Sequence, residues 1–228
     1  MFDRIALRYD LLNRLLSLGQ DVVWRKKLAR HLNQESNQRL LDLATGTADV
    51  PLFLFQKSNR IRSAIGMDMA RQMLEIGRQK IEDRGLDRRI TLISADAMRL
   101  PFKDESFDAV TIAFGIRNVL DTGQTLREMH RVLRSGGRAL ILEFSLPSNP
   151  FLRRLYLFYF RYLMPWIGGI VSGNRRAYRY LNQTVETFPY GKEFARFLTE
   201  TGFKAVRFFP LSFGVATIYR GEKGRTRS

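Results

Sequence analysis

Three carboxylates and one guanidinium in this chain stand where a parallel α/β sheet would hold a small ligand. Asp42 interrupts a short apolar run, Leu40, Leu41 and Leu43, that ends in the small-residue turn Ala44-Thr45-Gly46-Thr47-Ala48. Gly46 lets the backbone approach a ligand closely, and the helix expected behind it offers free N–H groups. Such a turn can cradle a dinucleotide pyrophosphate, but the three-glycine spacing of that fingerprint is absent. Asp68 closes a second run, Ser63–Asp68, 26 positions after Asp42. A carboxylate at that strand end can accept both hydroxyls of a ribose; a helix N-cap is the competing reading. Asp96 and Ala97 follow a third run, where a carboxylate and a backbone N–H can together recognise an adenine; a plain turn carboxylate competes. Arg117 and Asn118 follow a fourth, at the end where open α/β sheets place their ligands. Near the N-terminus, Tyr9, Asp10 and Asn13 form a polar trio beside an aromatic, suited to a lid over a ligand.

The elements needed to position these groups are legible in the periodicity. Strands are expected at roughly 39–44, Ser63–Asp68, Arg89–Ser94, Ala109–Ala113 and Arg138–Phe144, with helices at roughly 49–57, Arg71–Arg84 and Thr122–Leu133 between them. Ser135-Gly136-Gly137 is expected to stop the third of these helices. The alternation predicts an α/β, Rossmann-like, mostly parallel sheet with helices on both faces. After a helix at Lys192–Thr201, Val206–Pro210 and Gly214–Tyr219 are expected to close the sheet as an antiparallel hairpin, and Gly221–Ser228 to form a disordered tail. The chain reads as one domain over 1–228, with an N-terminal helical lid at about 1–32 and an aromatic cap at about 150–190.

The 228 residues carry a net charge of +16, from 38 basic and 22 acidic side chains, which favours an anionic partner such as nucleic acid or an acidic membrane surface. Cysteine is absent, so thiolate metals, cysteine nucleophiles and disulfides are excluded. His31 and His130 lie 99 positions apart and make no metal site; His130 is expected to be exposed. The N-terminus lacks an apolar h-region, consistent with a cytoplasmic protein. Phe151–Leu181 is rich in aromatics, but its most apolar part, Leu155–Val171, is 17 residues long and holds Arg161 and Pro165, too short and too broken to span a membrane. A buried cap helix and an apolar lid touching a membrane or a greasy substrate are both open readings.

The turn itself is similar to the first motif of S-adenosylmethionine methyltransferases, with Asp42, Ala44, Gly46 and Ala48 in its pattern and the last glycine missing. Beyond it, Tyr9-Asp10-Leu11-Leu12-Asn13 with Ser17-Leu18-Gly19 and Trp24, Phe114-Gly115-Ile116-Arg117-Asn118-Val119, and Arg131 through Ser145 resemble the signatures of the quinone-biosynthesis C-methyltransferases. The resemblance runs from about residue 2 to 223. It implies S-adenosylmethionine held by Asp42, Ala44, Gly46, Thr47, Asp68 and its neighbour Met69, with Asp96 and Ala97 around the adenine. Ala113 stands where a cofactor-contacting serine can occur, and Asp21 where the family carries histidine. A polyprenylated quinol, demethylmenaquinol or the related benzoquinol, is then the acceptor, with Arg117 on its oxygen, Asn118 and Tyr9 orienting the ring and Asp10 a candidate base. Peripheral contact with an anionic membrane and a homodimer or quinone-biosynthesis complex are the implied partners. DNA is not expected, RNA methylation and a non-catalytic scaffold are the rivals, and an NAD-dependent enzyme is disfavoured by the failed glycine fingerprint.

Overall fold

The computed structural model describes residues 14, 17–164 and 182–225. Tyr9, Asp10 and Asn13 and the middle of the aromatic stretch, 165–181, lie outside the described residues. Seven strands form one sheet in the order β3-β2-β1-β4-β5-β7-β6. They are β1 Gln38–Leu43, β2 Ile61–Asp68, β3 Ile90–Ser94, β4 Phe107–Ala113, β5 Leu133–Phe144, β6 Lys204–Leu211 and β7 Ala216–Glu222. The first five are parallel, and β7 runs antiparallel to both β5 and β6, as the sequence predicts.

The helices are α1 Gln20–Leu28, α2 Asp49–Lys57, α3 Arg71–Glu82, α4 Thr122–Val132, α5 Pro150–Phe158 and α6 Lys192–Glu200, with α5 continuing through a wider π turn at Tyr159–Leu163. Strand alternation divides the apolar residues between two layers. Leu40 faces α1, α2 and α3 with Leu28, Leu54 and Leu74, and Leu41 faces α4 and α6 with Leu126, Met129 and Leu198. A sheet covered on both faces explains why its strands read as nearly continuous apolar runs.

Three expectations are corrected. The glycines after α4 do not end it: the helix stops at Val132 and β5 begins at once at Leu133. Gly136, with φ +77°, instead shapes a bulge at which the pairing with β4 jumps from Phe107–Leu133 to Ala109–Arg138. His130 is half-buried, its ring edge-on to Phe203, and burial lowers its pKa. Gly221 and Glu222 belong to β7, where they pair with Ala139 and Arg138, rather than to a tail.

Where the ligand-bearing turn meets the sheet, the backbone is packed to its limit. A Cβ built on Gly115, just after β4, would lie 2.4 Å from the Cβ of Ala44, just after β1. The Gly115→Ala variant is therefore expected to lose about 1–3 kcal/mol of stability, read as a lower urea midpoint.

Candidate active site

The turn after β1 is built from left-handed backbone. Ala44, Gly46 and Ala48 have φ of +48°, +56° and +63°, and two N–H groups of the turn are taken up locally, that of Thr45 by the Met67 carbonyl and that of Ala48 by the Thr45 carbonyl. Asp42 lies beneath that turn and is completely buried, its Oδ1 accepting from the Thr111 hydroxyl of β4 at 2.5 Å. Burial pushes its carboxyl up to about 7, against the opposing pull of that hydrogen bond. Asp42 Oδ2 and Thr45 Oγ1 are both buried with no hydrogen-bond partner among the described residues.

Asp68 ends β2 and ties the turn to the next loop. Its Oδ2 accepts from the Gly46 N–H at 2.8 Å and its Oδ1 from the Ala70 N–H at 2.8 Å. The N-cap of α3 is Ala70, with no side-chain cap, so the N-cap reading of Asp68 does not hold. Two carboxylate oxygens offer about four lone-pair sites, the kind of acceptor a ribose needs. Met69 beside it is exposed at 71%. Thr47 Oγ1 accepts from Lys80 Nζ at 2.9 Å, and the same ammonium reaches Asp49 Oδ1 at 2.8 Å, pinning the far side of the turn to α3. Asp96 Oδ1 accepts from the Met98 N–H at 2.9 Å beyond β3, with Ala97 half-buried next to it. Ala113, the last residue of β4, packs against the apolar layer of α1 and α2.

The second half of the site follows β4. Phe114, left-handed at φ +57°, points its ring into a trio with Trp24 of α1 and Phe144 of β5, at centroid distances of 6.1 Å and 4.5 Å. Two guanidiniums flank this trio: Arg25 lies 5.4 Å from the Phe114 ring and Arg117 lies 5.2 Å from the Phe144 ring. Each is paired inside the protein, Arg25 with Asp21 and Arg117 with Glu143. The Arg117–Glu143 bond is 2.5 Å, with side-chain exposures of 7% and 1%. Arg117 Nη1 also donates to the Phe114 carbonyl at 2.8 Å. Its Nε, and Asn118 Oδ1 next to it, are buried without a partner among the described residues. Burial pushes the Glu143 carboxyl up, with Arg117 pulling the other way. The Tyr156 hydroxyl of α5 feels the charge of Arg117 and is pushed up by burial.

Comparison with known proteins decides what the site is. Residues 1–223 match the family described as ubiE/COQ5 methyltransferase family. The chain belongs to that family. It is 46% identical over 223 residues to the ubiquinone/menaquinone biosynthesis C-methyltransferase of Geotalea uraniireducens, covering 98% of this chain and 94% of the relative. It is also 46% identical to the demethylmenaquinone methyltransferase of Thermus thermophilus, covering 98% and 100% of the two chains. Among solved structures, a Thermotoga maritima S-adenosylmethionine-dependent methyltransferase superposes with TM-score 0.68 at 21% identity, covering 97% of each chain. A Methanococcus maripaludis protein described as a methyltransferase of the same cofactor class gives 0.67 at 17% identity, over 100% of this chain and 96% of that one. These two establish the fold.

S-adenosylmethionine is the cofactor of this ubiE/COQ5-family enzyme, and the residues present fit it: Asp68 is held against the glycine of the turn, and Asp42 Oδ2 and Thr45 Oγ1 lie buried beneath it without a hydrogen-bond partner among the described residues. Sequence reasoning gave no role to Glu143, Thr111, Lys80 or Tyr156, whose partners lie 26 or more positions away. A charged residue inside the apolar run of β5 was the available signal for Glu143.

The raised Asp42 pKa carries a pH prediction. The ordinary value is 3.8 and the folded value about 7, so between them the native state binds more protons than the unfolded chain. Stability without cofactor should fall as pH rises through that window and level off above it. Asp42→Asn should remove that part of the slope, so that its stability relative to the parent rises by up to about 4 kcal/mol from pH 4 to pH 8 in denaturant titrations.

Proposed function

We propose that this ubiE/COQ5-family methyltransferase moves the methyl group of S-adenosylmethionine to a ring carbon of a polyprenylated quinol, demethylmenaquinol in the first instance, with the corresponding benzoquinol as the alternative acceptor. The observation that carries this reading is that Arg117 Nε and Asn118 Oδ1, a donor and an acceptor on neighbouring residues, are both buried without a partner among the described residues, and that Arg117 lies 5.2 Å from the Phe144 ring. Each unsatisfied buried polar atom costs about 1–3 kcal/mol, which an acceptor carrying both an oxygen anion and a hydroxyl on a flat ring would relieve. The printed names of the Geotalea and Thermus relatives point to the same class of substrate.

The cofactor supplies a sulfonium-activated methyl group, so the chain's work is orientation and charge. Glu143 together with the Phe114 carbonyl holds Nη1 of the Arg117 guanidinium and so orients its Nε–H. Donating to a quinol oxygen, that N–H favours loss of the phenolic proton to water, and the oxyanion left behind feeds electron density to the ring carbon. Asn118 Oδ1 accepts from the second hydroxyl and sets the ring's rotation, while Phe114, Phe144 and Trp24 exclude water beside it. Tyr9 and Asp10 are proposed to complete the enclosure from the N-terminal segment.

A second element of the proposal concerns where the acceptor is met. Phe151, Leu155, Phe158 and Tyr162 recur at helical spacing on α5 and the turn after it, exposed by 75%, 58%, 55% and 66%. This apolar stripe starts just beyond the C-terminal end of β5 and suits insertion into the surface of a bilayer that holds the isoprenoid tail. No helix among the described residues is long and apolar enough to cross a membrane.

Purified protein with labelled S-adenosylmethionine and three acceptors, reduced demethylmenaquinone, the reduced polyprenyl-methoxybenzoquinone and bulk RNA, tests the reaction. Label in a quinol is expected; label in RNA alone overturns the proposal. Arg117→Lys keeps a cation for Glu143 but removes Nε–H, and should lower kcat by about a hundredfold or more while cofactor Kd stays within about threefold. An equal loss of both would remove Arg117 from the chemistry. Replacing Phe151 and Phe158 by Asp should abolish flotation with liposomes and leave the turnover of a short-tailed soluble quinol intact.

A further inference from the structure

The charge surplus has one concentration that methyl transfer does not use. At the N-terminal end of the parallel strands, α1 and the turn from α2 into β2 enclose a groove of about 1070 Å³. Its walls carry Lys26, Lys27, Arg30, Lys57, Arg60 and Arg89, and no Asp or Glu lines it. None of the six has a carboxylate partner among the described residues, whereas Arg25, Arg117, Arg131 and Arg138 are all paired.

Two features make this more than a solvated face. Arg89 is held in place: its Nη2 donates to the Ile61 carbonyl at 2.6 Å, its Nε to the Arg62 carbonyl at 3.1 Å, and its guanidinium lies 4.5 Å from the Phe55 ring. Arg60 Nη1 donates to the Asn33 carbonyl at 3.4 Å. A second hollow at the same end of the sheet adds Arg39 and Arg62, with Arg134 there paired to Asp108 at 2.9 Å.

The ordinary explanation for cations here is that α1 and α2 both end at the groove, and cations favour helix C-termini. Magnitudes decide against that as the whole account. Each helix end presents about half a negative charge, so two of them offset about one of the six cations. About five remain uncompensated in one concavity, a repulsion that an anion would relieve.

We infer that this groove is a second binding site, separate from the methyl-transfer site, for a soluble ligand bearing several linked phosphates. The position selects the source. The eight residues of β2 put about 26 Å between the groove and the strand ends where the cofactor turn and the α5 stripe lie. A bilayer meeting that stripe is on the other side of the molecule, so the groove faces the aqueous phase.

The test uses inorganic tripolyphosphate as probe on the full-length protein. Lys27, Arg30 and Lys57, all on the surface, are changed together to Gln; a control changes Lys103, Arg127 and Arg196 to Gln. By calorimetry the parent and the control should bind tripolyphosphate alike, and the groove variant at least about tenfold more weakly, with a shallower salt dependence. Methyl transfer should be unchanged in both triple variants. Equal tripolyphosphate binding by parent and groove variant overturns the site. Loss of methyl transfer in the groove variant alone overturns its separateness. Anionic vesicles or an RNA oligonucleotide retained by the parent but not by the groove variant, without tripolyphosphate binding, overturn the soluble-ligand assignment in favour of that macromolecular anion.

Discussion

The site depends on backbone that most residues avoid. Ala44, Ala48, Phe114, Ser212 and Phe213 all hold positive φ at the C-terminal end of the sheet, and none is glycine. Left-handed backbone with a side chain costs roughly 1–2 kcal/mol per residue, so five such residues approach the net stability of an ordinary domain. They persist because the packed sheet dictates them. The Thr45 N–H donates to the Met67 carbonyl and the Gly46 N–H to Asp68, fixing one turn. The Phe114 N–H donates to the Leu142 carbonyl, fixing the next. Ser212 accepts from the Trp24 indole at 2.9 Å, so the β6–β7 connection is held by the same tryptophan that packs on Phe114. Strain held in this way makes a site that does not need to rearrange when its ligands arrive.

The two buried ion pairs around the aromatic trio follow the same logic. A buried pair is weak support for stability, because desolvation removes much of the Coulombic gain. Its use here is direction: Glu143 and the Phe114 carbonyl hold Nη1 of Arg117 and leave its Nε–H buried with no partner among the described residues. On the other side, Asp21 occupies the position where the family pattern carries histidine. It pairs with Arg25 and accepts from the Ser17 hydroxyl at 2.8 Å, so the departure is taken up locally and Arg25 still covers Phe114.

Much of this was legible in the residues. Four of the five parallel strands were located to within about two residues, because strands covered on both faces must be apolar throughout, while β5 begins five residues before its expected start. Asp68, Asp96 and Arg117 stand at strand ends where only ligand or loop contacts explain a charge. The rest depended on long-range pairing that local pattern does not carry. Nothing near Asp42 in sequence announces Thr111 across the sheet, and a short apolar run with one acid in it does not say that the acid is wholly enclosed. Gly136 and Gly137 follow a helix and so resemble a stop signal, yet β5 had already begun, and their small size serves a bulge packed under the Asp108 carbonyl. Ala48 stands where glycine is common in the family; its φ of +63° shows what the glycine would be for. Its methyl, fully buried and close to Gly77, offsets part of the strain that replacing glycine introduces.

The distribution of charge completes the picture of an enzyme with two unlike ends. At the C-terminal end of the sheet Arg25 and Arg117 are enclosed and paired, and beyond them Leu18, Met69, Leu120, Phe151 and Phe213 are exposed, with Arg153 and Arg154 among the apolar residues of α5. At the N-terminal end the cations are exposed and gathered without acids around the groove. A net charge of +16 spread evenly would have needed neither arrangement. With the two proposed sites at opposite ends, a neutral, greasy acceptor and a multiply charged ligand would meet opposite faces, and each would be recognised outside the field that serves the other. The 26 Å estimated between them is more than two Debye lengths at physiological salt, which leaves the packed sheet as the route by which either face could influence the other.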